Sequence, residues 1–273
     1  MGEEKITGVL LDEKQDYERF KFEILKKTGI DLNLYKEAQM KRRLTAFYEK
    51  QGFSNFSAFF QHGLTKQSEL LDDFLERITI NVSEFYRNQG RWQALSEKIL
   101  PRLLSETKSL NAWSAACSQG EEPYTLAMIM ESHFPDCRYK ILATDIDQSV
   151  IKRAEAGFYS ERSLKNVPPL AKNEFFQKES SGYRVVPNIK RNVSFTTQNL
   201  LSEPFSKGLN LVICRNVLIY FTEEAKEILY KKFNRALTIG GVLFVGSTEQ
   251  IFNPEQYGFE AEDTFFYKKT KNV

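Results

Sequence analysis

Apolar residues in the first 80 positions recur at helical spacing, and from Leu110 onward they gather into short runs divided by polar turns. The early pattern predicts a bundle of helices. Residues 1–12 read as a loose lead-in, followed by a helix from Asp16 to Lys27 with Tyr17, Phe20, Ile24 and Leu25 on one face and Gly29 as its stop. Tyr35 to Lys50 forms a second helix, with Met40, Leu44, Phe47 and Tyr48 spaced i, i+4, i+7, i+8. Ser54 is placed to cap a short helix that carries Phe56, Phe59 and Phe60 and ends at Gly63. Glu69–Ile78 completes the set, turning Leu70, Leu71, Phe74, Leu75 and Ile78 inward. Gly90–Leu100 is a further helix built on Trp92, Leu95 and Ile99, and Pro101 either interrupts it or opens another turn with Leu103 and Leu104.

Beyond it, strands and helices alternate, the pattern of a mostly parallel sheet. The expected strands are Leu110–Trp113, Tyr139–Thr144, Val193–Thr197, Leu209–Cys214 and Val242–Val245, the last paired in a closing hairpin with Thr264–Lys268. The expected helices follow Pro123, span about Ser149–Ala156, and run from Glu223 to Leu237 with Gly240-Gly241 as the stop. Ser180-Ser181-Gly182 lies between two strand-like runs and reads as a small hairpin inserted into the alternation.

Composition narrows the class. With 273 residues, 41% hydrophobic and 27% charged, the chain has material for a packed core. A net charge of +2 is too small to indicate nucleic acid by itself. The three cysteines, Cys117, Cys137 and Cys214, show no C-x-x-C spacing, which points away from disulfides and zinc and towards a reducing cytosol. No signal peptide or membrane-length apolar run is visible. The only histidines, His62 and His133, stand apart from each other and from the cysteines, so histidine-centred triads and most metal sites drop out.

The candidate chemistry lies where strands end. Ser114–Gly120 is a loop of small residues between a buried strand and an apolar helix, and is either a place where a ligand can approach the backbone at the carboxyl edge of a parallel sheet or an ordinary strand–helix turn. Its single Gly120 argues against a dinucleotide pyrophosphate, which usually needs G-x-G-x-x-G. Asp145 ends the second strand and is either an acceptor for both hydroxyls of a ribose or a cap for the next helix. Asn216 is either a polar amide facing the cleft or a turn residue, and Tyr220 follows one helical turn later. Asn81 to Arg87 mixes polar and aromatic residues between helical regions, where Asn81 or Ser83 would serve as ordinary caps. Lys36, Arg42, Arg43 and Lys50 form a basic stripe read as lying away from the apolar face of the second helix; such a stripe is either a docking surface or simply solvated.

Taken in order, YKEAQMKRRL, TINVSEFYRN, AWSAACSQGEEPYTLAM, ATDID, FTTQNLL and ICRNVLIYF resemble the CheR family of chemotaxis receptor methyltransferases across nearly the whole chain. The resemblance implies an α/β class I S-adenosylmethionine-dependent methyltransferase. Its Rossmann-like, mostly parallel sheet would carry a C-terminal antiparallel hairpin. A small all-α receptor-facing domain would cover residues 1–80, a linker and helix 81–109, and the catalytic domain 110–273, with an inserted β-subdomain at 160–192. Carried onto this sequence, the family's cofactor contacts fall on Asn81, Ser83, Arg87, Glu122, Asp145, Asn199, Leu200, Asn216 and Val217. Ser83 stands where many members carry threonine, which keeps the hydroxyl. Arg87 and Tyr220 match the pair assigned to methyl transfer, and Lys36, Arg42, Arg43 and Lys50 match the receptor-facing basic helix. The implied cofactor is S-adenosylmethionine, yielding S-adenosylhomocysteine, without metal. The implied partners are the cytoplasmic helices of transmembrane chemoreceptors, with no nucleic acid and no membrane insertion. The competing reading is a methyltransferase of another protein or of a small molecule.

Overall fold

The structure is a computed structural model that describes residues 2–79, 81, 83–105 and 108–273, with side chains described from residue 13 onward. Its contacts divide the chain into two units: residues 1–80 with Tyr220–Ala225, and Asn81–Ile219 with Lys226–Val273.

In the first unit the opening helix spans Gly2–Thr28, so the expected loose lead-in is helical. The second helix is Glu37–Lys50. It starts later than its periodicity suggests because Tyr35 forms an antiparallel bridge with Phe221 and the Lys36 N–H donates to the Tyr220 carbonyl at 2.9 Å. Phe56–Ala58 opens a short helix that widens into a π-helical turn over Phe59–Leu64. Its cap is Asn55 rather than Ser54: Asn55 Oδ1 accepts from the Ala58 N–H at 2.7 Å. Asp16, from the first helix, accepts from the Phe56 and Ser57 N–H groups at 2.8 and 3.0 Å, which satisfies donors a helix start leaves open. Ser68–Thr79 closes the bundle. Phe20, Phe56, Phe59 and Phe74 pack ring against ring in its centre, with Leu44 and Ile24 fully enclosed beside them.

The second unit opens with Gln89–Ala94, a π-helical stretch over Leu95–Ile99, and Leu100–Leu104. Pro101 stands in the first turn of Leu100–Leu104, the further turn with Leu103 and Leu104 that is one of its two expected outcomes. Its ring crowds the preceding turn and it has no N–H to donate, and the turn before it widens to absorb both.

The main sheet holds β1 (Ser109–Ala115), β2 (Arg138–Asp145), β6 (Val193–Thr197), β7 (Leu209–Cys214), β8 (Leu237–Val245), β9 (Phe259–Asp263) and β10 (Phe266–Lys269). A second sheet of β3 (Phe158–Tyr159), β4 (Phe176–Glu179) and β5 (Gly182–Val185) is ordered β3-β5-β4 and contains the hairpin read around Ser181. The main order is β6-β2-β1-β7-β8-β10-β9, parallel through β8 and antiparallel at β10 and β9. The chain leaves β1 towards β2 and β6, then returns to the other side through β7. The rim between β1 and β7 is therefore where the strand order reverses, the usual ligand crevice of such sheets. Leu110, Ala112, Ile141, Ile213 and Phe244 join the helix Glu121–His133 in one core, while Trp113 packs on Phe205 and Phe233.

One reading fails at the end of the helix Glu223–Ala236. Gly240-Gly241 is not its stop, because β8 already begins at Leu237. The pairing of β7 with β8 shifts register between Leu209 and Leu211, and Gly240 takes φ +81° there, so the glycines serve a bulge within the strand.

Candidate active site

At the carboxyl edge the parallel strands end level with one another: Ala115 pairs with Thr144 and Cys214, Asp145 with Thr197, and Cys214 with Val245. The loop after β1 leaves the sheet through three left-handed residues, Ala116 (φ 62°), Ser118 (φ 50°) and Gly120 (φ 92°). Non-glycine residues there carry strain, which surrounding bonds must hold. The Cys117 N–H donates to the Thr144 carbonyl at 2.9 Å and the Ser118 N–H to Asp145 Oδ2 at 2.9 Å. Gly120 is required sterically as well, since a Cβ would lie 2.9 Å from that of Ala154.

Asp145 is 6% exposed, and its Oδ1 also accepts from the Asp147 N–H at 3.1 Å. Burial pushes its carboxyl up to about 6, against the pull of those N–H groups. The cap of the following helix is Asp147, whose Oδ1 accepts from the Ser149 N–H at 2.8 Å, so the capping alternative for Asp145 falls to its neighbour. Asp147 Oδ2 accepts from Asn81 Nδ2 at 2.9 Å, which ties the 81–88 segment to the end of β2.

That segment is tethered at several further points. The Ser83 hydroxyl bonds the Glu121 carboxylate. The Tyr86 N–H donates to Thr125 Oγ1 at 3.1 Å, and Trp92 Nε1 donates to the Arg87 carbonyl at 3.1 Å. Arg215, buried just after β7, gives Nη2 to the Arg87 carbonyl and to Asn88 Oδ1, both at 2.9 Å. Its Nη1 lies 3.4 Å from Glu122 Oε2, while Ser114 Oγ donates to Glu122 Oε1 at 2.8 Å. Burial pushes Glu122 up and Arg215 opposes it. Glu121 is buried beside Glu122 and pushed up to about 7 by burial. Ser118 Oγ, Glu121 Oε2 and Arg215 Nε have no hydrogen-bond partner among the described residues.

On the far side of the rim, Asn216 follows β7 with φ 62°. This left-handed turn breaks the helical spacing expected between Asn216 and Tyr220. The 3-10 turn Leu218–Tyr220 begins only afterwards. Asn216 N–H donates to Glu249 Oε2 at 2.6 Å and Val217 is half-buried beside it in sequence. Past β6, Asn199 Oδ1 accepts from the Leu201 N–H at 3.0 Å, and the buried Leu200 has its carbonyl held by Lys232 Nζ at 2.6 Å.

The structure thus brings Asn81, Ser83, Arg87, Glu122, Asp145, Asn199, Leu200, Asn216 and Val217 onto strand ends, or segments tied to them, along one edge of the second unit. Tyr220 belongs to the first unit, where the Arg43 guanidinium lies 5.3 Å from its ring centre. The basic stripe needs correction. At about 100° per residue, Lys36, Arg43 and Lys50 fall in the row next to Met40 and Phe47, not opposite it. Arg43 is accordingly half-buried, donating to the Ile78 carbonyl at 3.1 Å, whereas Arg42 and Lys50 are exposed. Sequence reasoning missed Glu121, Arg215 and Glu249. A charge directly after an apolar strand marks Arg215, a charge opening an apolar helix marks Glu121, and no local pattern marks Glu249.

Small left-handed loop, buried acid on the neighbouring strand and amide past the switch point together define a Rossmann-like methyltransferase site for a nucleoside without a pyrophosphate. Family comparison gives the particular case. Residues 81–266 match the family described as CheR methyltransferase, SAM binding domain, and residues 15–79 match CheR methyltransferase, all-alpha domain. A chemotaxis protein methyltransferase of Listeria monocytogenes is 45% identical over 95% of this chain and 99% of its own length. One from Borreliella burgdorferi is 36% identical over 82% of this chain and 83% of its own. The chain belongs to the CheR methyltransferase family and is an S-adenosylmethionine-dependent methyltransferase of chemotaxis. No described helix is long and apolar enough to cross a membrane.

The partly satisfied Glu121 carboxylate yields a test of this electrostatic picture. Its folded pKa of about 7 lies above the ordinary 4.5, so the ionised form costs stability above pH 7. Glu121→Gln should raise the unfolding free energy of the ligand-free protein by roughly 1–3 kcal/mol at pH 8, with the gain fading as pH falls towards about 4.5. Denaturant unfolding at pH 8 and pH 5 measures it.

Proposed function

We propose that the protein methylates glutamate side chains on the cytoplasmic helices of transmembrane chemoreceptors, forming γ-glutamyl methyl esters and S-adenosylhomocysteine. The observation that carries the cofactor side of this reading is Asp145: a buried carboxylate fixed at the end of β2 by the backbone N–H groups of Ser118, Asp147 and Ile146, beside the strained loop 116–120. A carboxylate offers about four acceptor positions. Three are met by the Ser118, Asp147 and Ile146 N–H groups, which leaves capacity for a ribose hydroxyl, and Ser118 Oγ is a further buried polar group still to be satisfied. The residues therefore fit S-adenosylmethionine, with Asn81, Ser83, Glu122, Asn199, Leu200, Asn216 and Val217 as its remaining contacts. When bound, the cofactor supplies a methyl carbon made electrophilic by a sulfonium.

Glutamate, with an ordinary pKa of about 4.3, is ionised at neutral pH, so the nucleophile needs no general base. The enzyme's work is alignment and exclusion of water, where orientation alone can be worth on the order of 7–11 kcal/mol. Cation and anion become two neutral groups in this reaction, so tight pairing to either ion would stabilise the ground state more than the transition state. Arg87 suits a restrained role. Its main chain is clamped by Trp92 and Arg215, and the role assigned to its side chain is to orient the carboxylate oxygen that does not attack. Tyr220 is assigned to the same transfer centre by the family pattern. Residues 1–80 form the receptor-facing domain, with Arg42 and Lys50 as its exposed cations and Lys36 and Arg43 more enclosed. A cytoplasmic location follows from the substrate.

Incubation with radiolabelled S-adenosylmethionine and receptor-containing membranes should leave base-labile label on the receptor band; label resistant to base, or confined to small molecules, would point to the competing substrate classes. In steady-state kinetics, Arg87→Ala should lower kcat strongly with little change in cofactor affinity. Asp145→Ala should mainly weaken cofactor binding, by roughly 1.5–3 kcal/mol. Arg42→Glu with Lys50→Glu should slow receptor methylation at low salt while S-adenosylhomocysteine still binds as in wild type, measured by initial rates across a salt series and by calorimetry.

A further inference from the structure

Glu249 lies 33 residues beyond Asn216, in the turn that follows β8, and is 5% exposed. Its Oε2 accepts from the Asn216 N–H at 2.6 Å and the Gly246 N–H at 2.7 Å, and its Oε1 from the Ile219 N–H at 3.2 Å. Leu218 contributes a further backbone bond. A single carboxylate thus joins the exits of two adjacent strands, whose last residues, Cys214 and Val245, are paired. Three of its donors lie in the 216–219 loop, which would otherwise expose unsatisfied N–H groups in a buried setting. Burial pushes its carboxyl up, and those N–H bonds pull the other way. Glu122 and Arg215 are charged groups that interact with it electrostatically.

Gly246 completes the arrangement. A Cβ there would overlap Glu249 Oε2 and lie 2.9 Å from the Asn216 nitrogen and 3.2 Å from its Nδ2. The space is therefore reserved for the carboxylate and the Asn216 amide together.

We propose that Glu249 is a positioning residue for the cofactor: it holds Asn216 in its left-handed conformation so that the Asn216 amide and the Val217 backbone face the sheet's carboxyl rim. Without it the Asn216, Leu218 and Ile219 N–H groups lose their shared acceptor, and Asn216 can relax into the right-handed region that most residues prefer. The proposal rests on the assignment of Asn216 and Val217 as cofactor contacts.

Glu249→Gln is the sharpest substitution. It preserves shape and one acceptor oxygen, but its NH2 must face one set of N–H donors. S-adenosylhomocysteine affinity measured by calorimetry should fall about tenfold or more, the scale of one charge-assisted hydrogen bond. KM for S-adenosylmethionine should rise in step, while KM for receptor stays near wild type. Gly246→Ala, which pushes the carboxylate from the other side, should weaken binding in the same direction. Asn234→Ala serves as a stability control: its amide holds the Tyr257 and Lys271 carbonyls, each at 2.9 Å, so it should lower the melting temperature with affinity unchanged. If folded Glu249→Gln and Gly246→Ala bind S-adenosylhomocysteine as wild type does, the inference is overturned. If wild type itself shows no binding, the cofactor reading fails first.

Discussion

Glu121, Glu122, Asp145 and Glu249 all lie at the carboxyl edge of one parallel sheet, three of them buried and Glu122 nearly so. Each gave up hydration on folding and must recover it in hydrogen bonds or remain a poised, unsatisfied group. The rim is the record of how that requirement is met. Asp145 takes backbone N–H groups from the loop after β1 and from its own strand exit. Glu122 takes Ser114 and Arg215. Glu249 takes backbone N–H groups across the turn after β7. Glu121 is only partly satisfied. At Ser118 and Asn216 the left-handed residues give their N–H groups to the Asp145 and Glu249 carboxylates. The hydrogen bonds at the rim offset both the backbone strain and the burial of charge.

This arrangement suits a reaction whose charges vanish as it proceeds. A site that held strong free cations against the incoming carboxylate would bind substrate well and react slowly. Here the most buried cation at the rim, Arg215, is committed to Glu122, Asn88 and the Arg87 carbonyl, and it stacks on Trp92 and Phe244. Its charge organises the segment that bears Arg87 and is thereby kept in structural use. Asp145 and Glu249 are held by backbone N–H groups, and the Arg215 guanidinium by aromatic rings and Glu122.

Much of this was legible in the residues. Alternating apolar runs gave the parallel strands because their period and length admit little else, and strand-terminal polar residues such as Asp145 and Asn216 follow from the topology of an open sheet. What escaped was long-range. Asn216 and Tyr220 look one helical turn apart until Glu249, far along the chain, draws the Asn216 N–H into a left-handed turn. Gly240-Gly241 looks like a helix stop because the register shift that needs it is set by β7. Arg43 looks like a surface charge until the Ile78 carbonyl and the Tyr220 ring claim it. The choice between Asp145 and Asp147 as helix cap turns on a difference of two residues at a strand exit, which propensity does not resolve.

The central claim is that an ionised Asp145 receives a ribose hydroxyl of the cofactor. Held at about 6 by burial in the free protein, it should drop when that donor arrives, so binding near pH 6 must expel protons. Titrating the protein with S-adenosylhomocysteine at pH 6 in two buffers of different protonation enthalpy measures this directly. The account predicts net proton release that shrinks at pH 8 and is reduced in Asp145→Asn. Binding with no proton exchange at pH 6, or with exchange unaltered in that variant, would contradict it.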